Sequence, residues 1–451
     1  MQRGLRIAVI GSGISGLSAA WLLSKSHDVV LIEEDARAGG HSNTVDAPSK
    51  AGRVAVDTGF IVYNVESYPN LVALFSHLDV ETAPASMSFA VSLDRGRYEY
   101  SGNGVAGLFG QPSNIFSPSH VRMVADLLRF FREAPRLLER TDATDLSLGQ
   151  YLGDAGYSQA FVIRHILPMA AAIWSTPSAS VMAFPARAFV RFFQNHGLLQ
   201  VADRPQWRTV VGGSRAYLAR MLEPLAGRLR LASGARCIIR HGSGVDVVTG
   251  NGRETFDHCV LATHADTALA LLGADAAADE RNLLGPFRYI ANRAILHRDP
   301  AHMPRRRRLW SSWNYLGGTT ETGGDLSVTY WMNNLQPLGP GAGDLFVTLN
   351  PVQKIAPDRT ISAFDYSHPM FDGATERAQR SLWALQGVRR TWFCGSYFGF
   401  GFHEDGLQSG LAVAEALGGV RRPWTVKGQS SRIHLPPLEV PRIVSPREAV
   451  A

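Results

Sequence analysis

Apolar positions at the start of the chain come in three blocks with different periods. Residues 5–10 are mostly apolar and stop at Gly11, the pattern of a strand buried on both faces. Residues 15–24 place Leu17, Ala20, Trp21 and Leu22 at helical spacing. Residues 28–33 form a second short strand, apolar from Val29 to Ile32 and closed by Glu33. Strand, helix and strand with such tight connections predict a βαβ unit at the head of a parallel sheet.

Beyond this start the pattern is mixed. Strands are predicted at 88–93, 97–100, 236–240, 245–249, 258–263, 292–297, 328–333 and 345–349. Ser119 can cap an amphipathic helix carrying Val124, Leu127, Leu128 and Phe131, which Pro135 should end or kink. A second helical stretch, 159–174, should break at Pro168. Residues 407–417 read as a final helix. The tail beyond Arg422, with Pro423, Pro436, Pro437, Pro441 and Pro446, reads as extended or loose chain. The fold class expected is α/β. A Rossmann-like domain is assembled from 1–75, 205–285 and 388–422, and a second α+β domain is built from insertions at 76–204 and 286–387, with 423–451 as the tail.

Composition narrows the classes. With 451 residues, 45% hydrophobic and 19% charged, the chain can bury two or three cores and is not dominated by disorder. The net charge of +6 is local: Arg305 to Arg308 form a run, and Arg389-Arg390 and Arg421-Arg422 are pairs. Such clusters read as solvated loops, or as a surface for anionic headgroups or an acidic substrate. No aromatic-interleaved basic stripe or motif points to nucleic acid. Cys237, Cys259 and Cys394 show neither a CxxC pair nor metal spacing, as expected of a reduced, cytoplasmic protein without a metal. No run reaches the ~18 apolar residues of a membrane span, so the expectation is a soluble protein, at most peripheral at the inner membrane surface.

The candidate chemistry begins at Gly11, Gly13 and Gly16, a GxGxxG between strand and helix. The first glycine allows the turn, the second admits a pyrophosphate to the backbone, and the third lets helix and strand pack closely. The helix opening at Ile14 and Ser15 then offers free N–H groups and a partial positive charge to phosphate. Glu33 ends the second strand twenty-two residues after Gly11, where a carboxylate meets a ribose hydroxyl and repels a 2′-phosphate. Glu34 lies beside it.

The continuation E-E-D-A-R-A-G-G-H resembles the extended fingerprint of the flavin amine oxidase and carotenoid desaturase superfamily. That resemblance implies FAD, a glutathione-reductase-like topology, and contacts from Arg37, Gly39 and Gly40. His41 stands where many members have Arg. Residues 234–263 resemble the superfamily's adenine-side β-unit. Cys237 falls where a backbone group meets adenine, Asp257 precedes the last strand, and Ala262-Thr263 ends it. Residues 393–417 resemble the closing motif, implying flavin contacts from Gly395, Gly406, Leu407, Gln408 and Ser409, with Asp405 as an alternative helix cap.

G-F-H-E-D-G-L-Q-S-G, with H-S-N-T and Y-W-M-N-N-L-Q, resembles a bacterial subgroup often encoded beside cyclopropane-fatty-acid-synthase-like methyltransferases. Membership implies desaturation of fatty-acyl or lipid-linked substrates and functional association with a lipid methyltransferase. Flavin-dependent desaturation removes a hydride and a proton, so a base is needed. His403 and Glu404 are the first candidates and His368 the third. Aromatic residues at Phe184, Phe189, Phe192, Phe193, Trp310, Trp313, Tyr315, Tyr330 and Trp331 suit an apolar cavity or an ordinary core. Arg187, Arg191, Asn195 and His196 could anchor a polar head. The alternatives are an amine oxidase, with Lys354 considered as its lysine, a flavin-dependent isomerase, or an FAD-holding partner protein. With one GxGxxG, reduced flavin should discharge to oxygen, a quinone or another carrier rather than to a second bound nucleotide.

Overall fold

The computed structural model describes residues 4–139, 146–174, 181–200, 204–318 and 327–436. At its centre is a parallel sheet made from distant parts of the chain. Strand β1 (Arg6–Ile10), helix α1 (Ile14–Leu23) and strand β2 (Asp28–Ile32) are joined by β3 (Leu229–Arg230), β4 (His258–Leu261) and β5 (Thr391–Phe393) in the order β3-β2-β1-β4-β5. Helix α2 (His403–Gly418) follows β5 and crosses α1.

The near-continuous apolar runs have a simple cause. Ile7, Val9, Val29 and Leu31 face a core under α1 and α2, while Ala8, Ile10, Val30 and Ile32 face a second core. That second core is covered by an antiparallel unit, Ala235–Arg240, Val245–Thr249 and Gly252–Phe256, and by the helix Ala265–Leu272. Both strand faces are buried, so neither alternates with polar residues.

The insertions build the second domain around a seven-stranded sheet. Its order is Thr360–Met370, Arg288–His297, Phe346–Leu349, Ser327–Trp331, Trp313–Gly317, Phe89–Leu93 and Tyr98–Ser101. Helices Pro118–Glu133, Leu167–Trp174 and Ala186–Asn195 pack beside it, with Phe130, Phe161, Phe189 and Phe193 fully buried. The fold is therefore a Rossmann-like α/β domain with a second α+β domain made from insertions.

Several local expectations change. The cap of Pro118–Glu133 is Ser117, which accepts from the His120 amide, and not Ser119; Leu128 faces outward, 52% exposed. After Pro135 the chain tightens into a 3-10 turn, Ala134–Leu138. At Pro168 the helix does not stop. It widens into a π turn, Val162–Ile166, and the Arg164 carbonyl that Pro168 cannot bond accepts from the Tyr100 hydroxyl at 2.8 Å instead.

The tail is not loose as far as 436: Ile433 enters a core, and Arg432 pairs with Asp405 at 3.3 Å. Pro437, Pro441 and Pro446 lie outside the described residues. The arginine clusters are largely engaged. Arg306 meets buried Glu99 at 2.7 Å, Arg389 meets Asp275 at 2.6 Å, and buried Arg422 meets Glu415 at 2.8 Å. Among the described residues no helix is long and apolar enough to cross a membrane.

Candidate functional site

The site starts where β1 turns into α1. Gly11 has φ +100°, and a Cβ there would stand 2.9 Å from the Ala262 carbonyl. At Gly16 a Cβ would fall 1.9 Å from the Gly11 carbonyl, an approach only glycine permits. Over Gly13 nothing lies within 4 Å, so the space above the helix N-terminus is open.

Ser12, which no motif singled out, ties the neighbouring loops together. It donates to Glu33 Oε2 from its amide at 2.8 Å and its hydroxyl at 2.6 Å, and its oxygen accepts from the Gly39 amide at 3.0 Å. Sequence reading passed over it because it occupies a variable position of the glycine motif.

A cleft of about 1070 Å³ runs from here through the molecule, at the upper end of the usual ~300–1,000 Å³ of small-ligand sites. One end is lined by Glu33, Glu34, Gly234 and Ala235. The wall continues past Gly11, Gly13, Ile14, Ser15, Arg37, Gly39, Gly40, His41, Ala262 and Thr263 to Gly395, His368 and His403. These residues fit an extended dinucleotide. The Arg37 guanidinium donates through Nη2 to the Gly40 carbonyl at 2.7 Å, while its buried Nη1 has no hydrogen-bond partner, as suits a cation beside a pyrophosphate. Among the described residues no cluster of three or more His, Cys, Asp or Glu could hold a metal.

Other expected contacts fall outside the cleft lining. A bulge between Ala235 and Cys237 turns Cys237 into the ladder opposite Val248, leaving Gly234 and Ala235 at the adenine end. Helix α2 begins at His403, one turn earlier than the apolar pattern suggested, because Asp405 caps it by accepting from the Phe402 amide at 2.8 Å. Of the first turn of α2, His403 lines the cleft and Glu404 does not. Gly406, Leu407, Gln408 and Ser409 lie deeper in the helix. A Cβ at Gly406 would meet Ile14, and Leu407 packs in the core beneath α1. Gln408 donates to Glu404 at 3.0 Å, and the Ser409 hydroxyl accepts from the Gly395 amide at 3.0 Å.

Glu404, expected beside the flavin, points the other way. It accepts from the Asn70 amide at 3.0 Å, the Asn70 side chain at 2.8 Å and the Leu71 amide at 3.0 Å, at the start of the helix Pro69–His77. Burial raises its carboxyl, with Gln408, Arg432 and Asn70 pulling it back. The substitution Glu404→Gln should cost about 1–3 kcal/mol in urea unfolding, because amides lose their acceptor. It should leave the rate of flavin reduction within about threefold, as a group outside the cleft would.

Two of the three chemical candidates do line the cleft. His403 stacks on Phe60 at 3.8 Å, and its Nε2 bonds the Tyr217 hydroxyl at 2.8 Å; that hydroxyl also bonds Ser42. Burial pushes His403 down to about 3. His368 has a defined tautomer. Asn350 Oδ1 accepts from the Arg293 amide, Asn350 Nδ2 donates to Asn292 Oδ1 at 2.7 Å, and Asn292 Nδ2 donates to the Ile290 carbonyl and to His368 Nδ1 at 2.9 Å. Nδ1 accepts, so the proton sits on Nε2. Burial pushes His368 to about 4. His41 stacks on Tyr366 at 4.9 Å and is held well below its usual value by burial. All three rings are neutral near pH 7. Phe60, Tyr217, Asn292 and Asn350 carry no motif, and only the fold brings them here.

Burial also depresses His165 to about 4 and His196 and His297 to about 3. A histidine so shifted contributes stability in full above its unfolded value of ~6.5, and that contribution is lost as pH falls from there toward 3–4. Each is expected to withdraw about 2 kcal/mol between pH 7 and pH 5. Urea unfolding should show a midpoint that drops steeply across that interval.

Past Phe402 the cleft is walled by Phe60, Tyr68, Phe192, Trp207, Trp313 and Tyr330. Of the aromatic residues weighed from sequence, Phe192, Trp313 and Tyr330 line it. Phe184, Phe189, Phe193 and Tyr315 belong to the core, and Trp310 and Trp331 pack on each other at 5.5 Å. His196 lines the cleft, whereas Arg187, Arg191, Asn195 and Lys354 do not.

A glycine-bounded helix terminus, an adenine-side β-unit and a closing helix around one elongated cleft define a dinucleotide-dependent oxidoreductase of the flavoprotein class. The flavin containing amine oxidoreductase family model matches residues 14–295, and the chain belongs to that family. FAD is its cofactor.

Solved structures share the fold at low identity. Putrescine oxidase bound to putrescine is 16% identical with a TM-score of 0.64, covering 92% of this chain and 99% of that one. Cyclohexylamine oxidase from Brevibacterium oxydans IH-35A is 15% identical at 0.64, covering 92% and 99%. A CLA-producing fatty acid isomerase from P. acnes is 15% identical at 0.65, again covering 92% and 99%. No curated protein matches the chain.

Proposed function

We propose that the protein removes a hydride and a proton from an apolar, fatty-acyl or lipid-linked substrate. The wall beyond Phe402 carries this reading. Glu33, Glu34, Asp35 and Arg37 lie at the dinucleotide end of the cleft, and Asp365 is exposed and paired with Arg293, so among the described lining residues no charged side chain stands at the aromatic end; Arg432, behind Tyr68, is paired with Asp405. Such a chamber favours methylenes by about 0.8 kcal/mol each and penalises an unpaired charge. The shared fold with a fatty acid isomerase supports an acyl chain as occupant.

Bound FAD supplies the hydride acceptor. The aromatic wall excludes water, His368 offers its Nε2 proton to an acceptor on the ligand, and the neutral His403 ring, fixed by Tyr217 and Phe60, takes up the proton that leaves the substrate. This reading places the protein in the cytoplasm or at the inner membrane surface, working with a lipid methyltransferase, with electrons passed to oxygen, a quinone or another carrier.

Oxidation of an amine is a second reading, favoured by the depressed basicity of His368 and His403. A neutral amine nitrogen drives hydride loss from the adjacent carbon with its own lone pair and needs no strong base. Anaerobic mixing of the FAD-loaded protein with phospholipids bearing methyl-branched or unsaturated chains, and separately with primary amines, decides between them. Loss of the yellow absorbance with lipid, and a new double bond in the chain, is the expected result. Bleaching by amines alone would overturn it, and lipid turnover that consumes no acceptor would move the assignment to an isomerase.

A further inference from the structure

His196 closes the helix Ala186–Asn195 at the aromatic end of the cleft, and its hydrogen bonds define its tautomer. Its backbone amide and its Nδ1 both reach the Phe192 carbonyl, at 3.1 and 2.9 Å. A carbonyl only accepts, so the proton sits on Nδ1 and the lone pair on Nε2. The ring is 3% exposed, stacked on Phe192 at 3.9 Å, with Phe402 at 5.6 Å, Trp207 at 5.9 Å and Tyr68 at 6.1 Å. Nε2 is buried without a hydrogen-bond partner among the described residues. A buried acceptor left unmet costs free energy that a ligand can recover.

Resting on the reading of this end as the substrate chamber, we propose that His196 is a specificity-determining residue whose Nε2 accepts a hydrogen bond from a hydroxyl carried by an otherwise apolar substrate. Three chemical classes could approach it. A carboxylate has no proton to give. An ammonium would enter an apolar wall with no counter-charge, within the field of Arg432, which together with burial depresses His196. Arg432 is no partner for a carboxylate either, being committed to Asp405 and the Ser67 carbonyl. A hydroxyl gives its proton without bringing charge. Because burial pushes His196 to about 3, Nε2 keeps its lone pair across the working pH range.

The test titrates n-decane, n-decanol, n-decanoate and n-decylamine into the FAD-loaded protein, following the perturbed flavin spectrum, in wild type, His196→Phe and His196→Gln. Wild type should bind n-decanol about tenfold more tightly than the other three, the worth of one hydrogen bond. His196→Phe should lose that tenfold for n-decanol and nothing for n-decane. His196→Gln, whose side-chain oxygen can reach the place of Nε2, should recover it.

Equal losses for n-decane and n-decanol would show that His196 only packs. No loss in His196→Phe would show that the hydroxyl does not reach Nε2. Either result sinks the proposal while leaving the chamber intact. Failure of all four probes to bind overturns the chamber reading itself.

Discussion

Gly13→Val should yield a folded but colourless protein. Gly13 has φ −60° and ψ 173°, open to any residue, and no atom lies within 4 Å of where its Cβ would go. The fold therefore tolerates the side chain, and the urea unfolding free energy of the FAD-free variant should stay within about 0.5 kcal/mol of FAD-free wild type. The new methyl groups would occupy the space above the α1 N-terminus, where the pyrophosphate approaches the backbone. The FAD Kd should rise at least tenfold, the effect of losing some 1.4 kcal/mol or more of binding, and FAD content after purification, read from the ratio of flavin to protein absorbance, should fall with it. Gly16→Val provides the contrast. Its Cβ would meet the Gly11 carbonyl at 1.9 Å, so that variant should lose stability and cofactor together. A yellow Gly13→Val protein with normal FAD content would show that the dinucleotide does not cross this helix end.

Arg432→Met should be the most destabilising single change in the tail. Asp405 is fully buried at the start of α2, and Arg432 answers it at 3.3 Å while donating to the Ser67 carbonyl and lying over Tyr68 at 5.4 Å. Burial raises the Asp405 carboxyl and Arg432 pulls it down. Such a pair adds little net stability, but removing one partner strands the other, at a cost of about 3–5 kcal/mol. The penalty should shrink as pH falls and Asp405 takes up a proton, and Asp405→Asn in the same chain should restore most of it. If the single variant unfolds at the wild-type urea concentration at pH 7, the tail contributes nothing to the closing helix.

The dinucleotide end of the cleft was legible in the sequence because its chemistry is carried by backbone. Gly11, Gly16, Gly39 and Gly40 are required by close approach or a left-handed backbone, and Gly13 keeps the space over the helix N-terminus open, so residue identity reports position directly. The flavin end was less legible. The reading started α2 at Leu407, since apolar periodicity begins there, whereas the cap that defines its origin is Asp405 acting back on Phe402. Four expected contacts thereby slid into the helix interior, and Glu404 turned toward the helix Pro69–His77. Nothing local distinguishes an acidic residue that points at a ligand from one that caps another helix. The tautomer of His368 depends on Asn292, on the strand Arg288–His297, and Asn350, just past the strand Phe346–Leu349, and that pairing exists only after the seven-stranded sheet has formed. The tail misled for a similar reason. Proline-rich composition reports missing helix, and says nothing of whether the chain is packed.

The crossing of α1 and α2 bears on how the protein matures. At Gly410 a Cβ would stand 2.1 Å from the Ser15 carbonyl, so α1 and α2 interlock with almost no gap. The glycine turn of Gly11 to Gly16 thus waits, with its floor missing, until α2 has been translated. Cofactor capture is then expected to follow the docking of α2, and a chain that ends before α2 should fail to hold flavin.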